Sequence, residues 1–292
     1  MSLNIIIKVD GQNINNLKTD NSEKPQATLK RQTFESSLRI PLKGRPFIES
    51  HRGCNRLAPE NSLSAFKKAI EIGCDSIEFD VWLSKDKIPV VIHGNSKGEI
   101  EETTTGKGCV NDFTFRQLSE FFIHNHDEGI PSLEYVLILC KDKIFVNIEI
   151  KDTNLSECFT VILNLINQHE MNRQVAISSF QHDYWEEIKK KEKHTQIEFG
   201  FLYDTAEGQI CEFILTEERR NSTINLWYKE VNPDIVQKAH EKNIAVHCWF
   251  GMADPETEEI FKYLMECGTD IICTNTPQLA MKVRDDVFGA IS

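Results

Sequence analysis

The stretch that decides the fold runs from Ser76 to Gly94 and reads Ser-Ile-Glu-Phe-Asp-Val-Trp-Leu-Ser-Lys-Asp-Lys-Ile-Pro-Val-Val-Ile-His-Gly. Its first half alternates strictly, and a period of two is typical of a β-strand. The alternation places Glu78 and Asp80 on one strand face. Two carboxylates that face a core repel each other and are costly to bury, and a bound cation removes both problems. Because the apolar second half ends in His93, we interpret the stretch as a metal site with an acid/base histidine beside it.

Length and composition place the chain among soluble globular proteins. It has 292 residues, of which 40% are hydrophobic and 27% charged. A single α/β barrel takes roughly 250 residues, so one large core is compatible with this length. The net charge of -12 argues against nonspecific nucleic-acid binding, which requires a basic surface. An anionic substrate would have to be attracted locally, by a cation or by a few basic residues.

The cysteines and the apolar runs bear on the cellular location. The nine cysteines are an odd number and show no zinc-binding spacing, which predicts free thiols in a reducing compartment. No apolar run approaches the ~18 residues of a transmembrane helix, and the N-terminus lacks the order of a signal peptide. We therefore expect a cytoplasmic protein with a small-molecule substrate. The sequence does not set its oligomeric state.

The chain divides into an extension and a catalytic domain. Residues 1–46 are mostly polar, with a possible strand at Ile5–Val9, and predict a partly flexible N-terminal extension. From residue 47 to residue 292, strand and helix patterns alternate. The region 94–143 is longer than a usual barrel connection and is predicted to be an insertion after the second strand.

Repeated strand–helix units imply a parallel sheet with right-handed crossovers, and their number favours a (β/α)8 TIM barrel of the α/β class. Nine segments qualify as strands for eight places. Either Ile88–Ile92 is a hairpin return of the preceding strand, or Ile224–Trp227 lies outside the barrel. The sequence leaves both solutions open.

A third strand carries polar residues toward the same end of the barrel. In Ile144–Lys151, the alternation turns Asn147, Glu149 and Lys151 inward. Active sites of such barrels lie at the C-terminal ends of the strands. Glu149 therefore joins Glu78 and Asp80, and three carboxylates predict an all-oxygen site for one divalent cation, Mg²⁺ or Ca²⁺, rather than zinc.

The polar segments occur in an order that resembles the glycerophosphodiester phosphodiesterase family, whose barrel is of the phospholipase C-like type. The matching segments are His51-Arg-Gly, Pro59-Glu-Asn-Ser, Glu78-Phe-Asp, Pro89-Val-Val-Ile-His, Asn147-Ile-Glu-Ile-Lys and Ser178-Ser-Phe. The segments Val246-His-Cys-Trp and Cys273-Thr-Asn-Thr-Pro match more loosely. The resemblance covers about Phe47 to Arg284.

The resemblance implies a role for each matched residue. It implies that His51 and His93 are the catalytic acid/base pair and that Glu78, Asp80 and Glu149 are the metal ligands. It further implies that Arg52 and Lys151 contact the phosphate and that Glu60 and Asn61 support the site near the mouth. We also assign Glu60 and Trp249 to the substrate-binding residues. The implied reaction is hydrolysis of a glycerophosphodiester to an alcohol and sn-glycerol 3-phosphate, with a place in lipid and glycerol metabolism.

Two features keep other functions open. The family usually has Asp after the second histidine, whereas this chain has Gly94, so a catalytically weak phosphodiester-binding protein is one alternative. Lysophospholipase D activity is another, for which phenylalanines 113, 115, 121 and 122 would have to line an apolar trough. Trp82, Phe180 and Trp249 fit either the mouth of the barrel or its core.

Overall fold

The computed structural model describes residues 8–9, 12–13, 44–182, 197–204 and 222–290. Eight parallel strands close into a barrel, and a ninth strand, β3, runs antiparallel outside it. The strands are β1 (Phe47–Ser50), β2 (Ser76–Leu83), β3 (Pro89–Val91), β4 (Phe145–Ile150), β5 (Val175–Ser179), β6 (Glu198–Tyr203), β7 (Ser222–Trp227), β8 (Ala245–Trp249) and β9 (Ile271–Thr274). β1 pairs with both β9 and β2, which closes the barrel and confirms the predicted TIM-barrel class.

The structure resolves the count of nine strand candidates. The segment around Ile88–Ile92 is the hairpin return, since β3 pairs antiparallel with the end of β2. The segment Ile224–Trp227 belongs to β7, a full member of the barrel between β6 and β8.

Helices cover the outside of the barrel. They are α1 (Leu63–Glu71), α2 (Phe115–Leu118), α3 (Leu133–Cys140), α4 (Leu155–Gln168), α5 (Pro233–Glu241), α6 (Glu258–Glu266) and α7 (Pro277–Phe288), with 3-10 turns at Val110–Asp112 and Tyr228–Glu230. Each α-helix from α1 to α6 begins after a side-chain cap, as at Ser62, whose hydroxyl accepts from the Ala65 amide at 3.0 Å. In the described part of the chain, no helix is both long enough and apolar enough to cross a membrane.

The main core lies between the strands and these helices. In α1, Phe66 is fully buried and its ring centroid lies 5.3 Å from that of Phe79 on β2. Phe79 projects outward from the barrel, as the strand alternation predicted, while its neighbours Glu78 and Asp80 project inward. Burial of one such aromatic side chain contributes roughly 1.5–3 kcal/mol to folding.

The insertion contains a small core of its own. Trp82 and Phe115 belong to this second buried cluster, which also includes Val90, Ile92, Ile100, Val110, Leu118 and Ile130. Phe113 and Phe121 pack against this cluster and edge to face against each other, with a ring-centroid distance of 5.3 Å. Of the four phenylalanines, only Phe122 is strongly exposed, at 46%. Most of the phenylalanines that lysophospholipase D activity would require along an apolar trough are therefore part of this packing in the insertion.

Several predicted segments differ from the structure or lie outside it. The sequence pattern of residues 114–122 predicts a helix, but the structure has a single turn there, α2, because the chain continues into isolated bridges such as Phe122 to Gly129. Helix α3 falls within the predicted insertion, yet it packs into the main barrel core. The charged pattern of residues 183–193 also predicts a helix, and this segment lies outside the described residues. Near the N-terminus, Lys8–Val9 pairs antiparallel with Gln12–Asn13.

A polar layer fills the interior of the barrel. Glu49 and His247 are both buried, and Glu49 Oε1 lies 3.1 Å from His247 Nε2. The Glu49 carboxylate also accepts from the Ser76 hydroxyl at 2.5 Å and from Asn147 Nδ2 at 3.0 Å. A buried charge needs this kind of pairing, because an isolated charge in the interior is strongly unfavourable.

Candidate active site

The loop after β1 places the first group of site residues. Arg52 and Gly53 both adopt positive φ angles, 52° and 74°. A Cβ atom at Gly53 would come within 2.8 Å of the Ala65 Cβ and 2.9 Å of the Ala65 carbonyl carbon, so only glycine fits here. The tight turn brings the Arg52 amide to Glu78 Oε2 at 3.0 Å. The loop is thereby anchored directly to the carboxylate on β2.

Strand register brings the three predicted carboxylates together. Asp80 on β2 lies opposite Glu149 on β4, and Glu78 lies opposite Asn147. Each of the three acids offers an oxygen atom within 4.8 Å of the others. All three are nearly inaccessible, with exposed fractions of 5% for Glu78, 1% for Asp80 and 9% for Glu149. The structure thus assembles the trio that the sequence predicted.

Two basic residues flank the trio. Arg52 Nε lies 3.3 Å from Asp80 Oδ2, and Lys151 Nζ lies 2.8 Å from Glu149 Oε1 and 3.7 Å from Asp80 Oδ1. Arg52 Nη1 also donates to Glu60 Oε1 at 2.9 Å. Glu60, predicted to act on the substrate, therefore fixes the orientation of the Arg52 guanidinium in this structure.

Asn61 supports the central carboxylate. It has a positive φ of 57°, a conformation that asparagine tolerates better than most residues. Its Nδ2 donates to Asp80 Oδ2 at 2.9 Å, and its own amide donates to the Arg52 carbonyl at 3.0 Å. One residue therefore connects the Arg52 turn, through its backbone amide, to the β2 carboxylate, through its side chain.

Burial and mutual repulsion separate the pKa values of the acids. Burial, followed by the charges of Asp80 and Glu149, raises the pKa of Glu78 well above its usual range. Burial also raises the pKa of Glu149, with Lys151 opposing it. Burial would raise the pKa of Asp80 as well, but Arg52 and Lys151 outweigh it and hold this pKa below the usual range. Full ionisation of the three carboxylates is therefore unfavourable in this buried site without an added positive charge.

The two histidines lie at the edge of the same group. Burial, reinforced by Arg52, lowers the pKa of His51 to about 3, and burial lowers the pKa of His93 to about 4. His51 Nε2 lies 3.9 Å from Glu78 Oε2. His93 lines a small cavity with Glu60 and Asn61, and its carbonyl accepts from Trp82 Nε1 at 2.8 Å. With these pKa values both imidazoles are neutral at neutral pH.

Sequence reasoning missed one residue of the site, Asn275. It follows β9 and is 1% exposed, and its Oδ1 lies 2.9 Å from His51 Nδ1. The signal for it is the Thr-Asn-Thr-Pro segment, which matches the family only loosely. Nothing in the spacing shows that the end of β9 meets the end of β1, because that contact arises only when the barrel closes.

Aromatic residues line the other side of the mouth. Phe180 is 42% exposed, and its ring packs edge to face against Trp249 with a centroid distance of 5.9 Å. Lys151 Nζ lies 5.9 Å from the centre of the Phe180 ring. Trp249 is thus near the basic group predicted to bind phosphate, whereas Trp82 belongs to the core of the insertion.

The Gly94 position has its own backbone geometry. Gly94 has a φ of 57°, and a Cβ atom there would approach Gly98 Cα and Trp82 Nε1, each at 3.2 Å. The turn is therefore built around the absence of a side chain. His93 is held through its backbone by Trp82, not by a neighbouring carboxylate at position 94.

The donor set fits a hard divalent cation. Within the described residues, Glu78 Oε1 and Asp80 Oδ1 are buried and have no hydrogen-bond partner. Such atoms are costly to leave unsatisfied, and carboxylate oxygens are the preferred ligands of Mg²⁺ and Ca²⁺. The fold and site define a class of protein: an α/β barrel that gathers acidic, basic and imidazole groups at one mouth.

Comparisons with known proteins identify the family within this class. The model of the glycerophosphoryl diester phosphodiesterase family matches residues 51–279. A glycerophosphodiester phosphodiesterase of Caldanaerobacter subterraneus is 30% identical over 243 residues, which cover 79% of this chain and 94% of the relative. One from Bacillus altitudinis is 28% identical and covers 82% of this chain and 98% of the relative.

Solved structures share the fold. The glycerophosphodiester phosphodiesterase of Thermotoga maritima superposes with a TM-score of 0.67 at 26% identity, covering 82% of this chain and 98% of that one. An Oleispira antarctica phosphodiesterase, solved with the product sn-glycerol-3-phosphate, has a TM-score of 0.72 at 22% identity and covers 82% and 97%. The chain belongs to the glycerophosphoryl diester phosphodiesterase family and is a phosphoric diester hydrolase.

Proposed function

We propose that this enzyme uses one divalent cation and two histidines to hydrolyse glycerophosphodiesters to an alcohol and sn-glycerol 3-phosphate. The observation that carries the proposal is the meeting of Glu78, Asp80 and Glu149 between Arg52 and Lys151 at the C-terminal end of the barrel. The product found in the Oleispira antarctica relative supports the same reaction.

Charge explains the arrangement. Glu78, Asp80 and Glu149 would hold the cation, and the bound cation would supply positive charge that polarises the phosphate and acidifies a neighbouring hydroxyl. Arg52 and Lys151 add donors for the phosphate oxygens, on which negative charge accumulates in the transition state. Glu60 and Asp80 keep the Arg52 guanidinium in place for this contact.

The histidines carry the proton transfers. One neutral imidazole removes the proton of the attacking hydroxyl, and the other, once protonated beside the anionic phosphodiester, gives a proton to the leaving alcohol. A histidine suits either role because its ordinary pKa lies near neutrality. We favour the substrate's own glycerol hydroxyl as nucleophile, by analogy with other phospholipase C-like barrels. Its attack would expel the alcohol and leave a cyclic phosphate, which water would then open to sn-glycerol 3-phosphate.

The location follows from the thiols. The eight cysteines within the described residues are all free, and free thiols persist in reducing compartments. We therefore place the reaction in the cytoplasm.

One assay tests the activity. Purified full-length protein is given glycerophosphocholine or lysophosphatidylcholine with Mg²⁺, Ca²⁺ or EDTA, and glycerol 3-phosphate and lysophosphatidic acid are measured. We expect metal-dependent glycerol 3-phosphate from the first substrate. Lysophosphatidic acid alone would move the activity to the lysophospholipase D class, and no product from either substrate would leave a phosphodiester-binding protein.

A further inference from the structure

The ring of His51 has a polar partner that fixes which of its two nitrogens carries the proton. His51 Nδ1 lies 2.9 Å from Asn275 Oδ1, and the same oxygen accepts from Asn55 Nδ2 at 2.7 Å. A neutral imidazole has one N–H donor and one acceptor nitrogen, so its partners decide its tautomer. The orientation of the Asn275 amide is therefore the quantity that matters.

Glu256 decides that orientation. Asn275 Nδ2 donates to Glu256 Oε1 at 2.6 Å and to the Gly251 carbonyl at 3.2 Å. An ionised carboxylate and a backbone carbonyl can only accept. Turning the amide over would set its oxygen against these two acceptors and its NH₂ group against the NH₂ of Asn55. Only one orientation of the Asn275 amide satisfies Glu256, the Gly251 carbonyl and Asn55 together.

Glu256 is itself held by the turn after β9. Its Oε1 also accepts from the Asn275 amide at 2.9 Å, and its Oε2 accepts from the Thr276 amide at 2.8 Å and from the Thr274 hydroxyl at 2.5 Å. A carboxylate with this many donors has little freedom to move. The chain of bonds from Glu256 through Asn275 to His51 is accordingly rigid.

We propose that Asn275, oriented by Glu256, is a positioning residue that keeps His51 in the Nδ1–H tautomer, so that Nε2 is the nitrogen that exchanges protons with the substrate. Nε2 is the nitrogen turned toward Glu78, at 3.9 Å from its Oε2. The Nδ1–H bond to Asn275 is kept whether Nε2 is free or protonated, so one arrangement serves both halves of an acid/base cycle. The catalytic part of this inference rests on the proposed function, whereas the tautomer itself does not.

The two histidines differ in this respect. Among the described residues, no hydrogen bond to the His93 ring is found, and its contact with Trp82 runs through the backbone carbonyl. The ring of His51 is thus held by a side-chain hydrogen bond, and within the described residues the ring of His93 has no such bond.

Nuclear magnetic resonance of the ¹⁵N-histidine-labelled full-length protein tests the tautomer without substrate. At pH 8, correlation of the ring nitrogens with the ring carbon-bound protons distinguishes protonated from unprotonated nitrogens, and His51→Asn assigns the His51 signals. We expect protonated Nδ1 and unprotonated Nε2 in the wild type, and mixed tautomers in Asn275→Leu. An Nε2–H ring in the wild type, or an unchanged pattern in Asn275→Leu, would overturn the proposal.

Kinetics tests the consequence. Asn275→Leu should lower kcat on the order of 100-fold while KM changes little, because proton transfer and not substrate binding is affected. Asn164→Leu makes the same change at an exposed position on α4 and should leave kcat as in the wild type.

A second variant covers a failure of Asn275→Leu to fold. Glu256→Gln replaces one acceptor oxygen of the carboxylate by an NH₂ donor. This donor can bind the oxygen of a turned-over Asn275 amide, so the variant should also mix the His51 tautomers. If the tautomers mix but the wild type has no phosphodiesterase activity, the positioning proposal stands and the proposed function fails. If the wild type is active and both folded variants keep the Nδ1–H pattern, the proposed function stands and the positioning proposal fails.

Discussion

Asp80 and Glu149 face each other in register across the parallel strands β2 and β4, with Lys151 Nζ within 3.7 Å of Asp80 Oδ1 and 2.8 Å of Glu149 Oε1. Parallel pairing carries each inward residue of one strand beside an inward residue of the next. Two carboxylates that are 69 positions apart in the sequence thereby become neighbours, and one ammonium group offsets only part of their repulsion.

Removing the Glu149 carboxylate should abolish stabilisation by metal without weakening the metal-free fold. Burial and neighbouring charge raise the pKa of Glu149, so its ionised form is unfavourable without a cation. We expect Glu149→Gln to melt, in EDTA, at a temperature equal to or above that of the wild type. The rise in Tm on adding Mg²⁺ or Ca²⁺, seen by differential scanning fluorimetry, should be lost.

The same trio predicts how metal binding responds to pH. Because the pKa values of Glu78 and Glu149 are raised, protons compete with the cation as the pH falls toward them. Calorimetric titration of the protein with Mg²⁺ or Ca²⁺ should show weaker binding and greater proton release at pH 5.5 than at pH 7.5. Affinity that does not change over this range would contradict the assignment of the three ligands.

Loss of either predicted acid/base group should abolish turnover. His51→Ala and His93→Ala are each expected to lower kcat by about 10²–10⁴-fold with little change in Tm, because each removes a proton-transfer group and not a core side chain. Initial rates with glycerophosphocholine provide the measurement. His124→Ala, on the insertion, is the control. An active His93→Ala enzyme would show that the pairing of the two histidines is wrong.

Introducing the residue usual in the family at position 94 should harm this chain. Gly94 has a positive φ, and a new Cβ would crowd Gly98 and the Trp82 indole at 3.2 Å. We expect Gly94→Asp to lower the free energy of unfolding by about 1–2 kcal/mol. Urea denaturation measures this loss, and kcat should not rise. A gain in kcat would mean that the missing carboxylate limits this enzyme.

The buried pair within the barrel predicts a large stability effect away from the reaction. His247→Leu leaves Glu49 without its imidazole partner in a fully buried position. Leaving a buried acceptor without one of its polar partners costs about 1–3 kcal/mol, and the hydrogen bonds from Ser76 and Asn147 should keep the loss near the lower value. Urea denaturation of this variant beside His124→Leu provides a matched comparison, and an equal loss in both would contradict the role of the pair.

The sequence by itself determined the class of fold and the main site residues. The period of two in β2 and β4 fixes which side chains face inward, so the sequence alone assigns Glu78, Asp80, Glu149 and Lys151 to the mouth. The end of the apolar run indicated His93, and the resemblance to the family added His51 and Arg52. These assignments work because strand alternation is local and the C-terminal ends of parallel strands meet at one face.

Tertiary structure decided what local patterns do not contain. Only closure of β9 against β1 brings Asn275 to the ring of His51, and only the antiparallel pairing of β3 excludes it from the barrel. Phe115 of the insertion packs in one cluster with Trp82 and Val90, which lie many residues away in the sequence. In each case the physical reason is the same: contacts between distant segments depend on how the whole chain closes, and side-chain type alone does not record them.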